Sequence, residues 1–182
     1  VIEGARALLD QAGLPPCYWV FAVRYLCFAH NTEVTEGDSP WNLRHGEGQF
    51  KPEVLPFGCT VDFLDRPNHV DRLPMFAPRS SVGVFVGYHL QPGGLWSKEH
   101  LVFRKRDFEQ FDFTRPRHLN ELRPVRTQEL KLSDDVPQFM MKAPYDVARR
   151  TLSTHPLIRI FPDESTAKIE EVDEESIEGE KV

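Results

Sequence analysis

The sequence predicts an α+β chain: a helical hairpin, then a small β-barrel, then a tail that stays disordered. Three observations carry this. Apolar residues recur at helical spacing through residues 1 to 32, and they alternate at strand spacing after Pro52. Residues 163 to 182 are acidic and have almost no large apolar side chains to offset the entropy of ordering.

The first element is VIEGARALLDQAG. Ala5, Leu8, Leu9 and Ala12 lie on one helical face, and Gly13 suits the C-terminal cap. No Ser, Thr, Asp or Asn precedes Val1 as a cap, so the helix reads as entered in mid-element. LPPCYWVFAVRYLCFAHN follows, with Pro16 near a helix start. Trp19, Ala22, Val23, Leu26, Cys27 and His30 form one stripe, and Phe21, Tyr25 and Phe28 lie on the other side. A helix apolar nearly all round is expected to be covered on both faces. In SPWNLRHGE, Ser39 is the predicted N-cap and Pro40 the first residue of a short helix.

Strands follow. In VLPFGCTVDFL, Cys59, Val61 and Phe63 share a face opposite Thr60, Asp62 and Leu64. SVGVFVGYHL is a second strand, and its Gly83 and Gly87 suggest a bent strand with close backbone approach. LWSKEHLVFRKRDF supplies a third strand and a candidate fourth, with a turn at residues 97–99, and FEQFDF a candidate last one. Four or five short strands in about 60 residues point to a small barrel. Residues 114–162 read as a basic, Pro-broken linker with sparse local structure, in which PYDVARRTL is a candidate short helix.

Composition narrows the function classes. Among 182 residues, 40% are hydrophobic and 27% charged, an ordinary soluble composition. The net charge of −6 is concentrated in residues 163–182, where nine acids face Lys168 and Lys181, so the rest of the chain sums to +1. Residues 104–126 hold seven Arg or Lys against four acids, a mildly basic field rather than a strong nucleic-acid footprint. Cys17, Cys27 and Cys59 form no Cys-x-x-Cys pair, which favours a reducing compartment. Residues 17–29, the densest apolar run, are too few for a membrane span, which needs about 20 residues.

The ordered motifs resemble copia-type (Pseudoviridae) retrotransposon Pol polyproteins. ARALLDQAGLPPCYWVFAVRYLCFAHN is similar to the segment after the last catalytic glutamate of their integrases. SPWNLRHGE, LPFGCTVDF, SSVGVFVGY and RDFEQFDF resemble the stretches that follow in that family, over residues 1 to 113. The resemblance implies helices from the end of a ribonuclease-H-like integrase core at 1–50 and an SH3-like barrel at 51–113. A linker at 114–162 and an acidic tail at 163–182 would then lead toward a reverse transcriptase. It implies DNA integration as the parent activity, Mg in the intact core, and an intracellular setting in cytoplasm and nucleus. Implied partners are DNA, bound weakly and non-specifically, other integrase subunits and the reverse transcriptase region, with no membrane. The family's metal triad lies upstream of the matched residues, so no catalytic residue and no cofactor is expected in this chain, and whether it is itself an enzyme stays open.

Within the chain, Glu3 and Asp10 read as solvated helix charges, since a metal site needs a further ligand. Cys27 and His30 lack the partners of a zinc site. HGEGQF lacks the Lys-Ser or Lys-Thr of a phosphate loop, and Ser39 serves a cap rather than a nucleophile elbow. Candidate phosphate contacts are Arg79, Lys98, Arg104, Lys105, Arg106, Arg115 and Arg117, of which 104–106 are expected to alternate along an extended chain. The competing readings are an inactive element remnant and a non-enzymatic interaction module, the latter with an exposed aromatic groove at Tyr88 and Trp96.

Overall fold

Helix α1, Ile2–Ala12, buries Ala5, Leu9 and Ala12 and leaves Glu3, Arg6 and Asp10 outside, as its spacing predicts. Gly13 ends it in the left-handed region at φ 68°. The Gly13 N–H reaches the Asp10 carbonyl at 3.2 Å, and the Leu14 N–H reaches Leu9 at 3.0 Å. A computed structural model describes residues 1–46, 48–64, 79–109 and 122–153.

A 3-10 turn at Pro16–Tyr18 leads into α2, Trp19–Thr32. Its buried face is Ala22, Tyr25, Phe28 and Thr32, continuing the line of Tyr18. The expected two-sided burial does not occur: Trp19 is 56% exposed, and Cys27 and His30 face solvent. Periodicity could not choose between two apolar stripes, and the aromatic one won because its rings reach the sheet. Helix α3, Pro40–His45, starts as predicted, with Ser39 Oγ accepting from the Asn42 N–H at 3.2 Å.

Among the described residues, five strands and two more helices follow α3. They are β1 Thr60–Leu64, β2 Ser80–Leu90, β3 Trp96–Arg104, α4 Lys105–Glu109, β4 Val125–Thr127, β5 Leu130–Leu132 and α5 Lys142–Ser153. The sheet order is β4-β3-β2-β1-β5, with each of these pairings antiparallel. Only Gln128 and Glu129 separate β4 from β5, yet these strands occupy opposite edges. The sheet therefore curls until its edges meet. Thr127 Oγ1 donates to the Leu64 carbonyl at 2.9 Å, and the Leu64 N–H to Glu129 at 3.1 Å.

Residues 122–153 thus correct the expectation of a sparsely structured linker. β4 and β5 are three-residue strands, too short to show a period of two, and they form by completing a sheet rather than from their own propensity. Strand β3 is also continuous where a turn was expected at 97–99. The chain bulges there rather than turning: Ser97 and Lys98, the latter at φ 58°, have no register partner between the Leu90–Trp96 and His89–Glu99 pairs. Of the candidate strand FEQFDF, Phe108 and Glu109 belong to α4, and residues 110–113 lie outside the described residues.

Helices and sheet share one core. A slip between Phe85 and Gly87 lets Val84, Phe85 and Val86 all be buried. Rings from the helices meet the strands: Tyr18 lies 5.2 Å from Phe103, Tyr25 6.3 Å from Phe85, and Phe28 4.3 Å from Tyr88. The helices are thus packed closely on the sheet. Close approach fixes the junction, since a Cβ at Gly58 would collide with Ala12. Among the described residues, no helix is long and apolar enough to cross a membrane.

Candidate nucleic-acid interface

One end of the curled sheet gathers positive charge. Arg79 immediately precedes β2, whose Ser80 pairs with Leu64, and Arg104 ends β3 opposite Gly83. Arg123 lies two residues before Val125, which pairs with Val102, and so belongs to the same end. The chain leaves β3 into α4 rather than continuing extended, because Phe108 turns inward to pack 5.7 Å from Phe103 and 6.3 Å from Tyr18. Expected alternation through 104–106 is thereby corrected. Lys105 and Arg106 are both exposed on one turn, and Asp107, 4.0 Å from Arg106 Nε, is half-buried.

The seven basic candidates do not form one surface. Lys98 is exposed near the hairpin end of β3, six residues or about 20 Å along the strand from Arg104. Arg115 and Arg117 lie outside the described residues. Arg123, which is exposed, was missed as a candidate, because only the pairing of β4 with β3 brings it beside Arg104.

The aromatic candidates are placed differently from the expected groove. Tyr88 is 7% exposed, its ring stacked on Phe28 at 27°. Its hydroxyl accepts from the Leu55 N–H at 3.0 Å and donates to the Glu53 carbonyl at 3.3 Å, while burial pushes its pKa up. A side chain so engaged is core rather than a peptide-binding surface. Trp96 is half-buried against Phe50, Tyr88 and His100, and its Nε1–H donates to the Glu99 carbonyl at 2.9 Å. These rings fill the space between one another.

At the β2–β3 hairpin, His89, Ser97 and Glu99 form a cluster not foreseen from sequence. Ser97 Oγ lies 2.9 Å and Glu99 Oε2 3.3 Å from the same nitrogen, His89 Nδ1. A hydrolytic triad needs the serine and the acid on opposite ring nitrogens. Ser97 also donates to the His89 carbonyl at 2.6 Å, so the hydroxyl closes the hairpin and has no free proton route through the ring.

Glu3 pairs with Arg6 at 2.9 Å, and Asp10 meets Lys142 at 3.2 Å and Arg149 at 3.0 Å, so these carboxylates face cations. Among the described residues, no group of three or more His, Cys, Asp or Glu is placed to hold a metal ion. Cys17 is half-buried, Cys27 exposed and Cys59 buried, where desolvation pushes the Cys59 thiol up to about 12. Comparison with protein-family models, curated proteins and solved structures returned no match for this chain.

Proposed function

We propose that the chain is part of a copia-type retrotransposon Pol polyprotein, the segment that joins the end of the integrase core to an SH3-like barrel. In this reading it supports DNA integration through non-specific contacts with DNA or neighbouring integrase subunits, without the family's metal triad. The motif series supports it: ARALL falls on α1, CYWVFAVRYLCFAHN on the 3-10 turn and α2, FGCTVDF on the entry to β1 and β1 itself, and VGVFVGY on β2, in the expected order. A five-stranded sheet whose edges meet is compatible with an SH3-like barrel.

The observation that carries the DNA contact is the basic end of the sheet, where Arg79, Arg104, Lys105, Arg106 and Arg123 come from neighbouring strands and α4. Cations from several elements, fixed by one sheet, form a rigid surface for phosphates without reading base edges. The test is binding of a random-sequence duplex over a salt series. Four phosphate contacts predict a loss of affinity of about 100-fold between 50 and 200 mM salt. Arg104→Ala, Lys105→Ala and Arg106→Ala together should weaken binding at low salt and flatten the salt slope. A slope unchanged by the triple substitution would sink this reading.

A further inference from the structure

We propose that the basic end of the sheet takes unpaired DNA, with Trp19 as the platform on which a base stacks. The inference deepens the DNA contact proposed above and rests on it, because it names the kind of strand that the same surface holds. Two of the three tryptophans belong to the aromatic core: Trp41 is buried against Phe28, and Trp96 is half-buried against Phe50. Trp19 differs. It is 56% exposed and has no ring contact with another described residue.

Its place in the fold gives that exposure a use. Tyr18, the residue before it, packs inward at 5.2 Å from Phe103 and 6.3 Å from Phe108. Arg104 follows Phe103, and Phe108 shares α4 with Lys105 and Arg106. Consecutive Cα atoms lie about 3.8 Å apart, so the packing of Tyr18 fixes Trp19 at the end of the molecule that carries these cations. Lys105 is exposed there, and the Arg106 side chain is 67% exposed although its Nε lies 4.0 Å from Asp107. An open indole and accessible cations thus adjoin, which suits a chain of bases and phosphates.

The ring selects the strand. Within a duplex both faces of a base are covered by its neighbours, so an indole on a protein surface stacks only on a base that is unpaired. Cations alone hold single and double strands alike through their phosphates. Trp19 therefore adds affinity for single strands and little for a continuous duplex. Every base has a π face, so the contact is indifferent to sequence.

The experiment measures binding of labelled oligothymidylate, and of a blunt random-sequence duplex of equal length, to the full chain and three variants. Trp19→Ala should weaken oligothymidylate binding by about 5- to 150-fold, as the loss of one stacked base does, and leave duplex affinity unchanged. Trp19→Phe should restore most of that loss. Arg104→Ala, Lys105→Ala and Arg106→Ala together should weaken both ligands. Equal losses for both ligands in Trp19→Ala would overturn the proposal, as would no loss for either. So would a fall in thermal midpoint, which would make the ring part of the core, or a change of oligomeric state with oligothymidylate binding intact. Duplex binding that persists while Trp19→Ala spares oligothymidylate sinks this inference and leaves the DNA contact standing. Oligothymidylate binding that depends on Trp19 without any duplex binding does the reverse, and binding of neither ligand overturns both.

Discussion

Tyr88 stacks on Phe28 with ring centroids 4.3 Å apart, joining the second helix to the second strand at the centre of the aromatic core. Phe50 adds edge contacts to both rings, at 5.1 Å from Phe28 and 5.9 Å from Tyr88. Phe28→Ala should cost about 3–5 kcal/mol, since it removes a ring that is 3% exposed from a filled space. Tyr88→Phe keeps the ring but strands the buried Leu55 N–H, at about 1–3 kcal/mol. Urea denaturation of both variants should show Phe28→Ala as the larger loss. The reverse order would mean that the hydroxyl, rather than the stack, holds helix to sheet.

The return of the chain through α5 gives a second test. A Cβ at Gly13 would run into the backbone of Met141 and Lys142, and φ 68° disfavours any side chain there. Gly13→Ala should therefore free α5 from α1 at about 1–3 kcal/mol. Asp10→Ala removes only partly exposed ion pairs to Lys142 and Arg149 and should cost less than about 1 kcal/mol. Hydrogen exchange of the α5 amides would separate them: faster exchange in Gly13→Ala than in Asp10→Ala is expected.

These residues also show what the sequence could reveal. Strong local signals were legible: the Gly13 cap, the Ser39–Pro40 helix start and the alternation that buries Val61 and Phe63. The α+β class followed from them. What was not legible depends on partners distant in sequence. Thr127 and Leu64 are 63 positions apart, and without their contact β4 and β5 are only three-residue fragments. The candidate site divided in the same way. Clustered cations at 104–106 were visible, but Arg123 joins them only through pairing, and what excludes the alternative groove at Tyr88 is its stack on Phe28, 60 positions away.

His100 makes stability depend on pH. Its Nδ1 is buried among Phe85, Tyr88 and Trp96 and has no hydrogen-bond partner among the described residues. Desolvation lowers its pKa below the ordinary 6.5, with a backbone contact at Thr127 opposing in part. The folded state therefore prefers the neutral ring. Stability from this group is full above 6.5 and is lost as pH falls through the lowered value, because the unfolded chain binds the proton first. The difference in urea midpoint between wild type and His100→Gln should shrink as pH drops from 7 through this window. A difference that stayed flat or grew would contradict the assignment.

Cysteine reactivity offers a readout of global opening. Cys27 is exposed, whereas Cys59 is fully buried with its thiol pushed up to about 12 by desolvation. Only the thiolate alkylates readily. Iodoacetamide at neutral pH should modify Cys27 promptly and Cys59 only at the rate of unfolding, rising with added urea. Mass spectrometry of time points would resolve the two, and prompt native modification of Cys59 would mean that the β1 end opens locally.

Lys98 separates backbone strain from charge. It sits at φ 58° inside β3, a region that costs a side-chain-bearing residue about 1–2 kcal/mol and glycine little. Lys98→Gly should recover about 1 kcal/mol, less the entropy that glycine adds to the unfolded chain. The position also lies about 20 Å from Arg104, beyond the roughly 10 Å over which exposed charges interact at 0.1 M salt. Duplex affinity should therefore stay nearly unchanged in Lys98→Gly while thermal stability rises. A stabilised protein that lost duplex binding as severely as the Arg104, Lys105 and Arg106 triple variant would move the phosphate surface to the hairpin end of the sheet.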